Sequence, residues 1–354
     1  MPFSVTVEPS GHQFQAEAPD TVLAAALRSG IVLPYGCRNG ACGSCKGRVL
    51  EGRVRHDAHQ ASALSVEEEA AGFALFCSAH PETDLVIEAR EVIGTGDIPI
   101  KKLPSRVASI VRAAPDVAIV RLQLPATERL QYLAGQYIEL ILKDGKRRAY
   151  SMAGAPHTAD QLELHIRHTP GGVFTDQVFR DATNVPGAKP ATALKERDIL
   201  RFEGPFGTFF LREDSVKPMV LVASGTGFAP IKAVIEHAIA KQTDREMVLY
   251  WGGRRPQDLY LDELAKTWQG VLPSFRYVPV VSDALPEDAW NGRTGFVHRA
   301  VLEDFADLSR HQVYVCGAPI VVDSARRDFT RERGLPAEEF YADAFTTEAD
   351  LARH

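Results

Sequence analysis

Four cysteines carry the chemistry that stands out first. Cys37, Cys42 and Cys45 follow one another in "PYGCRNGACGSCKG" with the spacing C-x4-C-x2-C, and Cys77 comes later in "ALFCSA". Thiols crowded into one loop either staple the chain or clasp a metal. Only five cysteines occur in 354 residues, and no export signal precedes the first strand-like segment, so a disulfide framework is disfavoured. Structural zinc draws its cysteines from two separate knuckles, which three in one loop fit poorly. The spacing suits a 2Fe–2S centre, in which four thiolates hold two irons and two bridging sulfides. Such a centre gathers negative charge that backbone N–H groups must offset. Gly36, Gly40 and Gly43 let the loop curl so that those amides point inward.

Further along, "RAYS" (148–151) offers a cation, an aromatic face and a hydroxyl. "GGVFT" (171–175) is a glycine turn opening a helix, whose amides suit a phosphate. "VASGTGFAPIKAVIEH" (222–237) reads as strand, glycine turn and helix, with Pro230 where a dinucleotide fingerprint would place its third glycine. Gly225 and Gly227 still permit a close backbone approach to a pyrophosphate. "YWGGRR" (250–255) ends the next strand, and "VYVCGAP" (313–319) ends a later one with Cys316 and Gly317. A lone cysteine is usually a core thiol, but one at a strand's C-terminal end before a glycine points to a site.

The elements that must hold these residues fall into three groups. Phe3, Val5 and Val7 alternate with polar neighbours, as do Phe14, Ala16 and Ala18, which predicts a hairpin; "DTVLAAALRSG" then predicts a short helix with Asp20 as N-cap and Gly30 past its end. Residues 1–92 form a compact α+β unit, and "VIGTGDIPIKKLP" leads into a linker over 93–104. From 105 to 213 strand follows strand, predicting an antiparallel barrel or sandwich, with an exposed loop within 181–198. From 214 to 354 strands alternate with helical patterns, predicting an open parallel sheet. No apolar run reaches the roughly 18 residues of a membrane span. The net charge is −6, and residues 1–92 hold 12 acidic against 7 basic residues, which argues against nucleic acid as a partner. These features together suit a cytoplasmic protein.

"CRNGACGSC" resembles the signature of the plant-type ferredoxin family, over residues 3 to about 91. "RAYS" followed by "GGVFT" resembles the flavin domain of the ferredoxin–NADP reductase superfamily, and G-T-G-x-A-P its nicotinamide domain. The resemblance implies a β-grasp ferredoxin, a flavin barrel and an α/β nicotinamide domain in one chain. It implies Cys37, Cys42, Cys45 and Cys77 as iron ligands, with Arg148 on the pyrophosphate of FAD, Tyr150 on the isoalloxazine and Ser151 near N5. Gly172, Val173 and Thr175 would hold the pyrophosphate from the other side; His165 and Arg167 fall on the next flavin-contacting strand. Gly225, Thr226 and Gly227 would bind the nicotinamide dinucleotide, Arg254 its ribose, and Cys316 and Gly317 would lie beside the nicotinamide. "FYADAF" (340–345) matches the closing segment, with Phe345 on the flavin.

The domain order resembles reductase components of bacterial aromatic oxygenases, phenol hydroxylase among them, and of CDP-6-deoxy-3,4-glucoseen reductase-like proteins. It implies an oxidoreductase that takes electrons from NADH, with NADPH left open through Arg254 and Arg255. The electrons would pass through FAD and the cluster to a separate oxygenase or dehydrase component. A redox-sensing protein with a vestigial dinucleotide domain is the alternative of another class. The 181–198 stretch is several residues longer than the family pattern, and nine residues follow Phe345.

Overall fold

The computed structural model describes residues 2–92, 98–158, 160–180 and 193–346. In the first domain β1 (Phe3–Glu8) and β2 (His12–Ala16) form the expected hairpin, burying Val5, Val7, Phe14 and Ala16. Helix α1 (Val22–Arg28) turns its Val22, Leu23, Ala25 and Ala26 face inward. Its N-cap is Thr21, whose Oγ1 accepts from the Ala24 N–H, and not the expected Asp20. The Asp20 carboxylate instead meets Arg28 at 2.7 Å. After the cysteine loop come β3 (Lys46–Glu51), β4 (Val54–His56), α2 (Val66–Ala70), β5 (Phe73–Leu75), β6 (Ala79–Pro81) and β7 (Leu85–Glu88). The sheet order is β2-β1-β7-β3-β5, with β1 and β7 parallel, the β-grasp arrangement; β4 and β6 pair separately.

The second domain holds β8 (Lys101–Ala114), β9 (Val117–Gln123), β10 (Tyr137–Ile141), β11 (Arg147–Ser151), β12 (Gln161–Arg167), α3 (Thr175–Phe179) and β13 (Ile199–Phe206). Its order is β11-β10-β13-β8-β9-β12, every pairing is antiparallel, and a bridge between Met152 and Leu164 brings the two ends together. Residues 101–104, expected within the linker, already pair with β13 because Leu103 has a barrel face to join. Residues 93–97 of that linker, and 181–192 of the expected exposed loop, lie outside the described residues.

The third domain runs through β14 (Met219–Ser224), α4 (Phe228–Ala240), β15 (Met247–Gly253), α5 (Asp262–Val271), β16 (Phe275–Val281) and β17 (Arg293–Thr294), then α6 (Val297–Asp304), β18 (Gln312–Gly317), α7 (Pro319–Glu332) and β19 (Phe340–Ala344). All six strands are parallel in the order β17-β16-β15-β14-β18-β19, and near-continuous apolar strands let both faces be covered. Chain order reverses between β14 and β18, so a crevice opens at their carboxyl ends, where Gly225 and Cys316 stand. Among the described residues no helix is long and apolar enough to cross a membrane.

Candidate redox site where three domains meet

The four thiols gather in two pairs. Cys37 hydrogen-bonds to Cys42, and Cys45 to Cys77, and all four are buried or nearly so. The Cys37 N–H donates to the Cys42 Sγ (3.4 Å) and the Gly40 N–H to the Cys77 Sγ (3.3 Å). Hydrogen bonds from Cys37 and Ser44 pull the Cys42 thiol down against its burial, and Cys45 does the same for Cys77. The donor of each pair is pushed up. Two pairs, each already favouring a thiolate, fit two irons. The loop curls at Gly40 (φ 76°) and Gly43 (φ 70°), and also at Arg38 (φ 58°). Gly36 serves differently from the expected curl. A Cβ there would stand 3.3 Å from both the Asp343 Oδ1 and the Cys42 Sγ, so its bareness lets β19 reach the cysteine loop.

That loop is clamped by both other domains. Tyr35 exchanges hydrogen bonds with Thr208, its N–H donating to Oγ1 and its carbonyl accepting from Oγ1, both at 2.9 Å. The Tyr137 hydroxyl donates to the Gly36 carbonyl (2.9 Å), and Arg38 pairs with Glu139 while lying over the Phe206 ring at 4.2 Å. From the third domain, the Ala342 carbonyl accepts from Ser44 Oγ (3.3 Å), and Thr346 Oγ1 from Asn39 (3.4 Å). Arg326, over the Phe340 ring at 4.6 Å, brings positive charge toward Cys42.

The junction centres on Asp343, which sequence reasoning passed over. It pairs in register with Cys316, hydrogen-bonds to Ser151, and lies within charge range of Cys42. Burial, with Cys42, pushes its carboxyl up to about 7 against the Ser151 hydrogen bond. Burial and Asp343 likewise push the Cys316 thiol up. A signal was present: an acidic residue inside the apolar strand "FYADAF" should be buried, and a buried carboxylate needs a reason.

The crevice at the switch point is tight. A Cβ on Gly227 would sit 2.1 Å from the Cys316 carbonyl oxygen, so any side chain there would drive the turn off the sheet. The turn is fixed from beneath by Trp251, whose Nε1 donates to the Gly225 carbonyl (3.0 Å) and whose indole stacks on Phe228 at 3.7 Å. Thr226 is buried in the turn, and the Phe345 N–H donates to the Gly317 carbonyl (2.8 Å) beside it. On the barrel, Tyr150 packs against Phe174 at 5.8 Å, which joins "RAYS" to the turn of Gly172 and Thr175; Val173 points outward, half exposed.

Models of three domain families match the chain: a 2Fe-2S iron-sulfur cluster binding domain over residues 5–82, an oxidoreductase FAD-binding domain over 104–211 and an oxidoreductase NAD-binding domain over 221–327. The CDP-6-deoxy-L-threo-D-glycero-4-hexulose-3-dehydrase reductase of Yersinia pseudotuberculosis is 41% identical, over 98% of this chain and 99% of its own. Reductase component 2 of a Comamonas terephthalate 1,2-dioxygenase is 37% identical over 98% of each chain. The chain belongs to the iron–sulfur flavoprotein reductases. A solved relative, the Amycolatopsis cytochrome P450 reductase GcoB, has 35% identity and a TM-score of 0.74 over 98% of this chain and 99% of that one. The reductase is thus an oxidoreductase with 2Fe–2S, FAD-binding and NAD-binding domains.

His165 and Arg167, on the strand expected to reach the flavin, both stand where the barrel meets the nicotinamide domain. His165 is buried between barrel and nicotinamide sheet; its Nδ1 meets the Tyr260 hydroxyl (2.8 Å) and its Nε2 the Glu163 carboxylate (3.0 Å). Alternation along β12 turned it to the domain seam, a choice the strand pattern alone leaves open. The Arg167 guanidinium covers the dinucleotide turn, its Nη1 2.7 Å from where a Gly225 Cβ would stand, and its Nε meets Asp116 at 3.2 Å. Arg254 is exposed at the end of β15, while its neighbour Arg255 is held bidentate by Asp288 at 2.7 and 2.8 Å.

Proposed function

We propose that this reductase draws electrons from NADH and delivers them singly to a separate oxygenase or dehydrase component in the cytoplasm. The observation that carries this is the convergence of the cysteine loop, the flavin strand and the nicotinamide sheet on Asp343. When bound, FAD accepts a hydride and the 2Fe–2S cluster passes on one electron at a time, which is the chemistry the chain itself lacks.

The protein's part is to bind and position. Cys37 and Cys42 take one iron, Cys45 and Cys77 the other. Arg148 and the 172–175 turn hold the flavin pyrophosphate, Tyr150 packs on the ring system, and Phe345 covers it from the C-terminal side. Gly225, Thr226, Gly227 and Gly317 admit the nicotinamide dinucleotide, and Arg167, over that turn, neutralises its pyrophosphate. Cys316, at the end of the strand beside that turn, would stand next to the nicotinamide. Asp343 holds a proton on its buried carboxyl, and Ser151 relays it. Arg254 borders the ribose. Arg255 is neutralised by Asp288, so that edge offers a 2′-phosphate less than the sequence suggests, which supports NADH.

With NADH, the full-length protein should reduce cytochrome c steadily. Cys42→Ser should abolish that transfer yet keep ferricyanide reduction within about twofold, since a small oxidant can draw directly on the flavin. Survival of both activities would reject the wiring, and faster turnover with NADPH would reject the choice of dinucleotide.

A further inference from the structure

Cys42, with Cys37 beside it, packs into the apolar layer between the nicotinamide sheet and α7. Alternation along β19 puts Phe340, Ala342 and Ala344 on this face, and Val322, Ala325 and Phe329 come down onto it from α7. Arg326 follows Ala325 at the edge of that layer, half-buried, with its guanidinium 4.6 Å from the Phe340 ring centre. A cation of the third domain thus stands on the same side of β19 as two of the iron ligands.

Other cations in this neighbourhood are neutralised at short range. Lys46 meets Glu68 at 2.7 Å, Arg327 meets Asp328 at 2.7 Å, and Arg38 pairs with Glu139. Among the described residues no carboxylate lies within ion-pair distance of Arg326, and Asp323, one turn back on α7, acts on it from further off. Burial pulls the guanidinium below its ordinary range, while the charges of Cys42 and Asp323 oppose that. Asp323 feels the same thiol: burial pushes its carboxyl up, Arg326 opposes the rise and Cys42 adds to it.

A half-buried guanidinium with no ion-pair partner is costly unless negative charge faces it. Four thiolates and two sulfides outweigh two ferric irons, so a 2Fe–2S cluster supplies such charge, and the electron it accepts adds to it. We propose that Arg326 is the counter-charge of the cluster, supplied across the domain boundary, and that it raises the cluster's reduction potential. A nearby cation favours the reduced state because that state is the more negative one, and Asp323 works in the opposite sense. The nicotinamide domain thereby makes the cluster a stronger electron acceptor. This rests on Cys37 and Cys42 as iron ligands.

The test is a redox titration of the full-length, cofactor-loaded protein, with the cluster followed by its electron paramagnetic resonance signal and the flavin by absorbance. Arg326→Met keeps a stem over Phe340 and removes the charge. The reduced-to-oxidised ratio of the cluster at a fixed potential should then fall about tenfold, the effect of one unit charge roughly 12 Å away through an effective dielectric of about 20. That is a midpoint more negative by about 59 mV. Arg326→Lys, which restores the charge, should stay within about twofold of the wild-type ratio, and Asp323→Asn should move the midpoint to more positive values. The flavin midpoint should move less than that of the cluster in all three. An unmoved cluster in Arg326→Met, a Lys variant displaced as far as the Met one, or a negative shift in Asp323→Asn would overturn the proposal. A wild-type chain with no reducible cluster signal would instead reject the four-cysteine ligand set.

Discussion

The barrel meets its two neighbours in different ways. Toward the ferredoxin domain the seam combines hydroxyl and backbone bonds, Thr208 with Tyr35 and Tyr137 with the Gly36 carbonyl, with the apolar packing of Tyr137 and Phe206 and, among the described residues, one ion pair, Arg38 with Glu139. Toward the nicotinamide domain it is a buried charged network. Glu163 takes Arg121 at 2.7 Å, Lys232 at 3.2 Å and His165 at 3.0 Å, while Lys232 also meets Glu236 at 2.8 Å and the Ala153 carbonyl at 3.2 Å. Neutral hydrogen bonds exchange readily with water, so each hydroxyl bond of the first seam costs little to part. A buried charge stripped of its partner cannot be rehydrated without opening the fold, so the second holds its domains in one arrangement. The flavin and nicotinamide halves need fixed alignment for hydride transfer, whereas the ferredoxin half needs only proximity.

The largest effect should come from breaking the charged seam. Lys232→Met should cost about 3–5 kcal/mol of stability, measured by urea unfolding, because Glu163 and Glu236 both lose a buried cation. A loss within about 0.5 kcal/mol would mean the network is solvated and the contrast false.

Acid should open the same seam more gradually. Burial outweighs the Glu163 hydrogen bond and holds the His165 imidazole below its ordinary 6.5, so it stays neutral in the fold while the unfolded chain takes up the proton. Burial would raise Glu163, but the hydrogen bond from His165 and the charges of Lys232 and Arg121 hold it below its ordinary 4.5. Both groups therefore add stability at high pH. It should decline as pH falls below about 6.5, at up to ~1.4 kcal/mol per pH unit per proton, and again below about 4.5. The thermal midpoint of the FAD-loaded chain, scanned over that range, should follow this course, and His165→Gln should flatten the upper step.

The smallest effect belongs to the hydroxyl bonds of the ferredoxin seam. Thr208→Val keeps the shape and removes both hydroxyl bonds to Tyr35, leaving the Thr208 N–H to Tyr35 carbonyl bond at 3.1 Å. A cost of about 1–2 kcal/mol is expected in calorimetry, with ferricyanide reduction unaltered. A fall in ferricyanide turnover would show that this seam also aligns the flavin half, and the distinction between the two would be lost.

Much of the site was legible from local pattern. The cysteine spacing, the glycine turn after β14 and the Cys-Gly pair ending β18 each act through the conformation of a few adjacent residues, so sequence order carries their meaning. The ones that escaped act across domains. Asp343 reads as one more acidic residue until register sets it beside Cys316, and the Gly36 approach sets it beside the cysteine loop. Arg167 and His165 share one strand face, yet only the docked sheet decides that one covers a dinucleotide turn and the other locks a seam.

Sequence alone determined the three domains and their order, because spacing, periodicity and glycine placement are local constraints on the backbone. The tertiary structure decided which side chains face one another across the seams. That outcome depends on how twisted sheets pack and which buried groups find partners, and no linear pattern encodes it.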